Sequence, residues 1–248
     1  MNNKNSYSVI LPTLNEVGHI KSLILDISNT FAKQNIKHQI VVVDDNSTDG
    51  TLEEIEKIQN LEIVIHKRTK KRKSLVNSLN EGIEIAKYDK IIWLDADYSH
   101  PPELIEKFLN IFNHDKIDLI VGSRFLEDSK RYYDEKNQNP VVIDLMSIFL
   151  NRVCKFFLFN DFNDYTSGYI CIKKEIIKEL TLKGYYGDYF IVLISKLKKL
   201  DKKILEIPFI EKERASGESK TTKNKIDLIF KCFFYFFALI KSMIIKYF

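Results

Sequence analysis

At 248 residues with 45% hydrophobic side chains, the chain is long enough to enclose a full core and sits in the size range of one α/β domain. Its 38 lysines and arginines against 34 acidic residues leave a net charge of +4, too small to mark a bulk nucleic-acid binder. Cys154, Cys171 and Cys232 are odd in number, widely spaced and without a CxxC pair, which argues against a disulfide framework or a thiolate zinc site and fits a reducing cytosol.

Residues 1–8 are polar and run directly into a strand-like segment, so neither a secretory signal nor an amino-terminal anchor is expected. Short β-branched runs then alternate with helical patterns, the rhythm of parallel strands joined by right-handed crossovers. Strands are expected at 7–11, 39–43, 61–65, 90–94 and 117–121, with helices at 16–33, 51–59, 74–87 and 102–113 between them. The strands are nearly all apolar, as when helices cover both faces of a sheet. Residues 122–139 are polar and aperiodic and read as a long loop, a kind of segment that often carries function. The second half is less regular: a helix at 141–159, a strand at 169–172, a helix at 189–200 and a strand at 203–210 are expected.

The sharpest chemical signal is Asp95-Ala96-Asp97 at the end of the fourth strand. Two carboxylates at i and i+2 put hard oxygen ligands at the carboxyl edge of a parallel sheet, where open α/β folds bind ligands and a divalent cation could bridge a diphosphate. The same pair could instead cap the following helix. Asp44 and Asp45 end the second strand at the same edge, able to accept hydrogen bonds from a base or ribose, while Ser47, Thr48 and Asp49 suit turn and cap roles. The first strand turns there too, through Leu11-Pro12-Thr13-Leu14-Asn15-Glu16. No GxGxxG or GxxxxGK[ST] occurs, which counts against a Gly-rich dinucleotide turn and against P-loop phosphoryl transfer.

Taken with Gly217-Glu218-Ser219-Lys220, these blocks resemble the family 2 glycosyltransferases, closest to the polyprenol (dolichol) phosphate mannose synthases, over residues 7–222. The resemblance implies an α/β fold of the GT-A type, a mostly parallel sheet flanked by helices like other nucleotide-diphospho-sugar transferases. The expected domains are a transferase domain over residues 1–222 and, from the pattern of the tail itself, an amphipathic, interfacial helix at 223–248. Pro12, Glu16, Asp44 and Asp45 would border the nucleoside. Asp95, Asp97 and Ser99 would hold Mg²⁺ or Mn²⁺ on the donor diphosphate. Arg124 would sit near the donor or acceptor phosphate. Arg214 and Lys220 would belong to a mobile lid, although on residues alone that segment is equally an ordinary charged turn. Asp164 matches an acceptor-side block and is a candidate base, with Asp161, should the acceptor be a hydroxyl. Leu14 stands where relatives often carry tyrosine, which removes a flat surface for base stacking. Ile143 stands where the mannose synthases commonly place an arginine, and Arg131 or Arg152 are the candidates to replace it.

The tail at 226–248 is dense in Phe and Ile, yet Asp227, Lys231, Lys241 and Lys246 fall on one stripe with Tyr235, Ala238 and Ser242. That pattern favours a helix lying in a membrane interface. The basic run 67–73 could meet anionic headgroups or stay solvated. The expected activity is therefore inverting transfer of a hexose, mannose first, from a nucleotide sugar such as GDP-mannose to a polyprenyl or dolichyl phosphate. The setting would be the cytosolic face of a membrane, with a membrane-protein partner in view. Transfer to a hydroxyl of a glycolipid or surface polysaccharide is the first alternative, and a non-catalytic nucleotide-sugar-binding protein the second.

Overall fold

The computed structural model describes residues 5–69, 72–114, 116–130, 140–212 and 225–248. Among them the chain runs β1 (Ser6–Thr13), α1 (Ile20–Lys33), β2 (Lys37–Asp44), α2 (Thr51–Glu56), β3 (Ile63–Lys67), α3 (Leu75–Ile85), β4 (Lys90–Trp93) and α4 (Leu104–His114). It continues with β5 (Leu119–Ser123), α5 (Pro140–Phe157), β6 (Ile170–Lys173), α6 (Lys174–Leu180), α7 (Asp188–Lys199), β7 (Ile204–Pro208) and α8 (Lys225–Tyr247). The strands form one sheet in the order β3-β2-β1-β4-β6-β5-β7.

Alternation along each strand divides the core in two. Ile10, Val41, Val43, Ile91 and Trp93 face the side covered by α3 and α5 to α8. Val9, Leu11, Ile40, Val42 and Ile92 face the side covered by α1, α2 and α4. Helical spacing matches this placement: Ile20, Leu23, Ile24, Ile27 and Phe31 make the buried stripe of α1. Helix α3 starts where the Ser74 hydroxyl accepts the Asn77 amide, at 3.2 Å. It lies so close to β1 that a Cβ on Gly82 would stand 2.5 Å from Ile10 Cγ2.

Strands β1 to β4 are mutually parallel where they pair, as expected. Strand β6 is inserted between β4 and β5 and runs antiparallel to both. Helix α6 was not expected; it follows β6 with no turn residue between them and buries Ile176 and Ile177. Part of the anticipated loop at 122–139 belongs to β5, and residues 131–139 lie outside the described residues.

Helix α8 inverts the simple picture of an amphipathic tail. Much of its polar stripe turns inward: Lys231 and Ser242 are buried, and Tyr235, Ala238 and Leu239 pack into the core shared with α7, while Lys241 of the same stripe stays exposed. The boundary expected at 222/223 lies outside the described residues; on its far side α8 packs against α7. Among the described residues no helix is long and apolar enough to cross a membrane.

Candidate functional site

Register brings the three acid-bearing strand ends together. Thr13 pairs with Asp44 and Ile10 with Trp93, so Asp95, two residues on, is level with Pro12 and close to the level of Asp44. Since β1 separates β2 from β4, Asp44 and Asp95 share one edge about 10 Å apart at the usual strand spacing.

The wall at β1 and β2 is laced into a single unit. Asn15, at φ 55°, donates its amide to Ser47 Oγ at 2.9 Å and accepts the Thr48 amide at 2.9 Å. The Glu16 amide donates to Thr51 Oγ1 at 2.8 Å, and its buried carboxylate meets His19 Nε2 at 3.0 Å. Pro12 is half-buried beside them. Asp44, fully buried, accepts the Ser47 amide and hydroxyl and so fixes this turn. Asp45 accepts from Arg68 Nη1 and from the Ser74 amide. Arg68 was counted in the basic run at 67–73, yet it is turned inward, 1% exposed, and bridges Asp45 to Glu81. Asp44 and Asp45, at the end of β2, therefore brace this edge of the sheet, the edge that the sequence assigns to the nucleoside.

At the end of β4 the backbone is strained: Tyr98 adopts φ 67°, unusual for a bulky residue and worth about 1–3 kcal/mol. Its hydroxyl is pinned on Asp26 at 2.6 Å. Asp97 is 8% exposed and accepts the Ser99 amide at 3.0 Å and the Ser99 hydroxyl at 2.6 Å. The Asp95 amide donates to His100 Nδ1 at 3.0 Å, and the His100 ring stacks on Tyr169. Asp95, Asp97 and the Ser99 hydroxyl are hard oxygen donors. Mg²⁺ and Mn²⁺ commonly take one or two protein carboxylates and complete their shell with water and substrate phosphate, so this set fits. Among the described residues no cluster of three or more His, Cys, Asp or Glu forms a self-contained cage.

Arg124, just past β5, is the second centre of charge. It grips the fully buried Asp164 through Nε at 2.9 Å and Nη2 at 3.0 Å, and donates further to Thr166 Oγ1 and Glu211. Burial alone would raise the Asp164 carboxyl, but the guanidinium and the surrounding amides hold it below the usual carboxylate range. Asp164 also accepts the amides of Arg124 and Thr166. It is built to hold Arg124, and its lone pairs are engaged rather than available to take a proton. The other candidate base, Asp161, pairs with Lys198 at 2.6 Å. Helix α5 is tied to the same loop, where Asn151 donates to Thr166 Oγ1 and accepts the Tyr165 amide. Arg152, a candidate to replace the missing arginine, is exposed on α5.

The start of α7 was missed as part of this site. Asp188 accepts the amides of Tyr185 and Tyr186 at 3.0 and 2.6 Å. Tyr189 is buried, and both its burial and the charge of the Asp95 carboxylate push its hydroxyl upward. Tyr235 of α8 reaches the same place, with Asp188 and Arg124 among its electrostatic neighbours. The signal was present: Gly187-Asp188 ahead of an apolar run is a helix-start pattern.

Arg214, Lys220 and Arg131 lie outside the described residues, as do the side chains of Ile143 and Asp227. The two residues leading into the 213–220 segment are anchored on the site: Glu211 accepts from Arg124, and the Lys212 amide donates to the Ser99 carbonyl at 3.2 Å.

Known proteins are similar to this chain in sequence and fold. A dolichol-phosphate mannosyltransferase of Pyrococcus furiosus is 31% identical over 217 residues, 86% of this chain and 58% of that protein. A protein of the same name from Mycosarcoma maydis is 33% identical over 128 residues, 48% of this chain and 42% of its own length. The chain thus spans about half the length of these two relatives. Among solved structures, glucosyl-3-phosphoglycerate synthase from Mycobacterium tuberculosis superposes with a TM-score of 0.69 at 19% identity, over 96% of this chain and 80% of the other. That structure contains Mn²⁺, uridine diphosphate and glucosyl-3-phosphoglycerate, and another of the same enzyme contains Mg²⁺ and uridine diphosphate at a TM-score of 0.68. At such identity the likeness establishes a common GT-A-like fold. The sequence profile described as Glycosyl transferase family 2 matches residues 8–181, from β1 through α6, and the chain belongs to that family.

Proposed function

We propose that the chain transfers a hexose, mannose in the first instance, from a nucleotide sugar to a polyprenyl or dolichyl phosphate, with inversion, at the cytosolic face of a membrane. The observation that carries the choice of acceptor is the state of Asp164. A hydroxyl acceptor needs a carboxylate base, and Asp164 is spent on Arg124 while Asp161 pairs with Lys198. A phosphate acceptor is already ionised near neutral pH and needs no strong base. The names of the two mannosyltransferase relatives support the same sugar and lipid class; GDP-mannose is the proposed donor.

On this reading an oxygen of the acceptor phosphate attacks the anomeric carbon from the face opposite the diphosphate. The carbon–oxygen bond to the nucleoside diphosphate breaks, and that group leaves with the electron pair. Pro12, Glu16, Asp44 and Asp45 shape the nucleoside side, and Arg124, held in place by Asp164, supplies positive charge near the phosphates. Bound between Asp95, Asp97 and Ser99, Mg²⁺ or Mn²⁺ would neutralise charge developing on the diphosphate. Arg214 and Lys220 would join from the following segment. Most of the acceleration then comes from positioning and fixed charge.

The test is incubation of the purified chain with a panel of nucleotide sugars and polyprenyl phosphate, read by mass spectrometry. Formation of a hexosyl-phospho-polyprenol, fastest with GDP-mannose, is expected. Transfer only to glycan hydroxyls would overturn the acceptor, and absence of turnover with every donor in Mn²⁺ would overturn the enzyme.

A further inference from the structure

Along α8, at about 100° per residue, Phe230, Phe233, Phe236, Phe237, Ile240 and Ile244 occupy one side, and all are exposed. Lys231, Tyr235, Ala238, Leu239 and Ser242 occupy the opposite side and pack inward. Helix α5 adds exposed Leu145, Phe149, Phe156 and Phe157. The Lys246 ammonium joins the two helices by donating to the carbonyls of Phe157 and Leu158. So dense an aromatic face differs from the scattered apolar residues of an ordinary soluble surface.

Charge beside that face indicates what covers it. Phe234 and Lys241 are seven residues apart, so they lie on the same flank of α8, next to the aromatic side. Phe234 packs on Tyr185 with ring centroids 4.3 Å apart, and the Arg72 guanidinium stands 4.9 Å over the Tyr185 ring. Lys183 and Lys196 line one small pocket at the α6–α7 connection, and Lys241 stands near Lys196. Arg72, Lys183 and Lys241 are exposed, so a row of cations follows the edge of an exposed Phe face. An acidic leaflet offers acyl chains to the one and headgroup phosphates to the other.

We propose that α5 and α8 form a single docking surface for a leaflet rich in acidic phospholipid, with Arg72, Lys183 and Lys241 contacting its headgroups. The inference extends the membrane reading by naming the headgroup class. Its test contains no donor or acceptor, so its failure is separable from failure of sugar transfer. The full chain is sedimented with vesicles of phosphatidylcholine alone or of phosphatidylcholine mixed with phosphatidylglycerol. Preference for the acidic vesicles, weakening as salt is raised, is expected. Arg72→Gln, Lys183→Gln and Lys241→Gln should each lower binding to acidic vesicles about fivefold and leave binding to neutral vesicles unchanged. Thermal melts of the variants confirm folding, which these exposed positions do not support. Equal binding to both vesicle types, or undiminished binding of the triple variant, would overturn the proposal. Binding to neither would also overturn it and leave the face to a protein partner, or to a second copy if the free chain elutes as a dimer.

Discussion

The hydroxyl of Tyr235 lies 2.6 Å from the point where a Cβ on Gly187 would stand. A residue of the helix with the outward Phe face therefore rests on Gly187 at the start of α7, next to Asp188 and two residues before Tyr189, whose hydroxyl feels the Asp95 carboxylate. The surface helix and the acid-bearing strand edge are linked through this contact.

Gly187→Ala forces one side to yield. Because the clashing atom is the tip of a side chain, the stability cost should sit near the low end of overpacking, about 1 kcal/mol, while turnover falls more than stability does. Tyr235→Phe removes the clashing oxygen, so the double variant should recover part of the loss. Urea melts and steady-state rates on the four members of this cycle measure the coupling. Strict additivity of the two substitutions would remove the contact from the argument.

Asp164→Asn should be among the costlier single changes in the molecule. It leaves Arg124 buried with Glu211 as its remaining acid, and breaking a buried pair in this way costs about 3–5 kcal/mol. The pH dependence has a definite sign. Since the folded Asp164 carboxyl is held below its unfolded value, its contribution is present above the ordinary carboxylate value of about 3.9 and is lost as pH falls through the folded value. Denaturant titrations at neutral and acid pH should show the gap between wild type and Asp164→Asn narrowing in acid. A constant gap would mean the carboxylate charge is not what stabilises this site.

For Asp97→Ala the expected losses are transfer, by at least about a hundredfold, a size typical for removing one preorganised electrostatic partner, and the Mn²⁺-dependent part of nucleotide binding. Asp97 is nearly buried and fixes Ser99, so a melting curve must accompany the kinetics. Calorimetry with nucleoside diphosphate, with and without Mn²⁺, separates the two effects. Metal-enhanced binding retained in a folded Asp97→Ala chain would remove Asp97 from the cation site.

The acid-bearing strand ends were legible because local and global signals agree there: buried apolar runs stop abruptly at Asp44 and Asp95, and parallel topology sends both to one edge. Strand β6 was legible as a strand but not in direction, since its hydrophobic run is the same whichever way it pairs. Arg68 could not be read from the basic run. It sits in a lysine-rich stretch, between Lys67 and Thr69, and only the fold reveals that Asp45 and Glu81 flank it. Helix α8 was legible as two-faced, yet which face turns inward depends on α7. A stripe of Ser242, Ala238 and Tyr235 fits closely against another helix, whereas the Phe side does not need to.

That inversion changes how the tail should be probed. Removing residues 225–248 would take Ala238 and Leu239 out of the core and Tyr235 off Gly187, so it should cost several kcal/mol, at about 1.5–3 kcal/mol for each large side chain withdrawn. Loss of membrane binding by that truncation would then be ambiguous, because a destabilised chain also changes fraction. Phe233→Ser combined with Phe237→Ser touches only the exposed side, where both residues are more than half exposed. The pair should leave the melting temperature in place and shift the chain from vesicles to the supernatant. If the pair lowers stability as much as the truncation does, the Phe face is packed against protein and the inward assignment of the polar stripe is wrong.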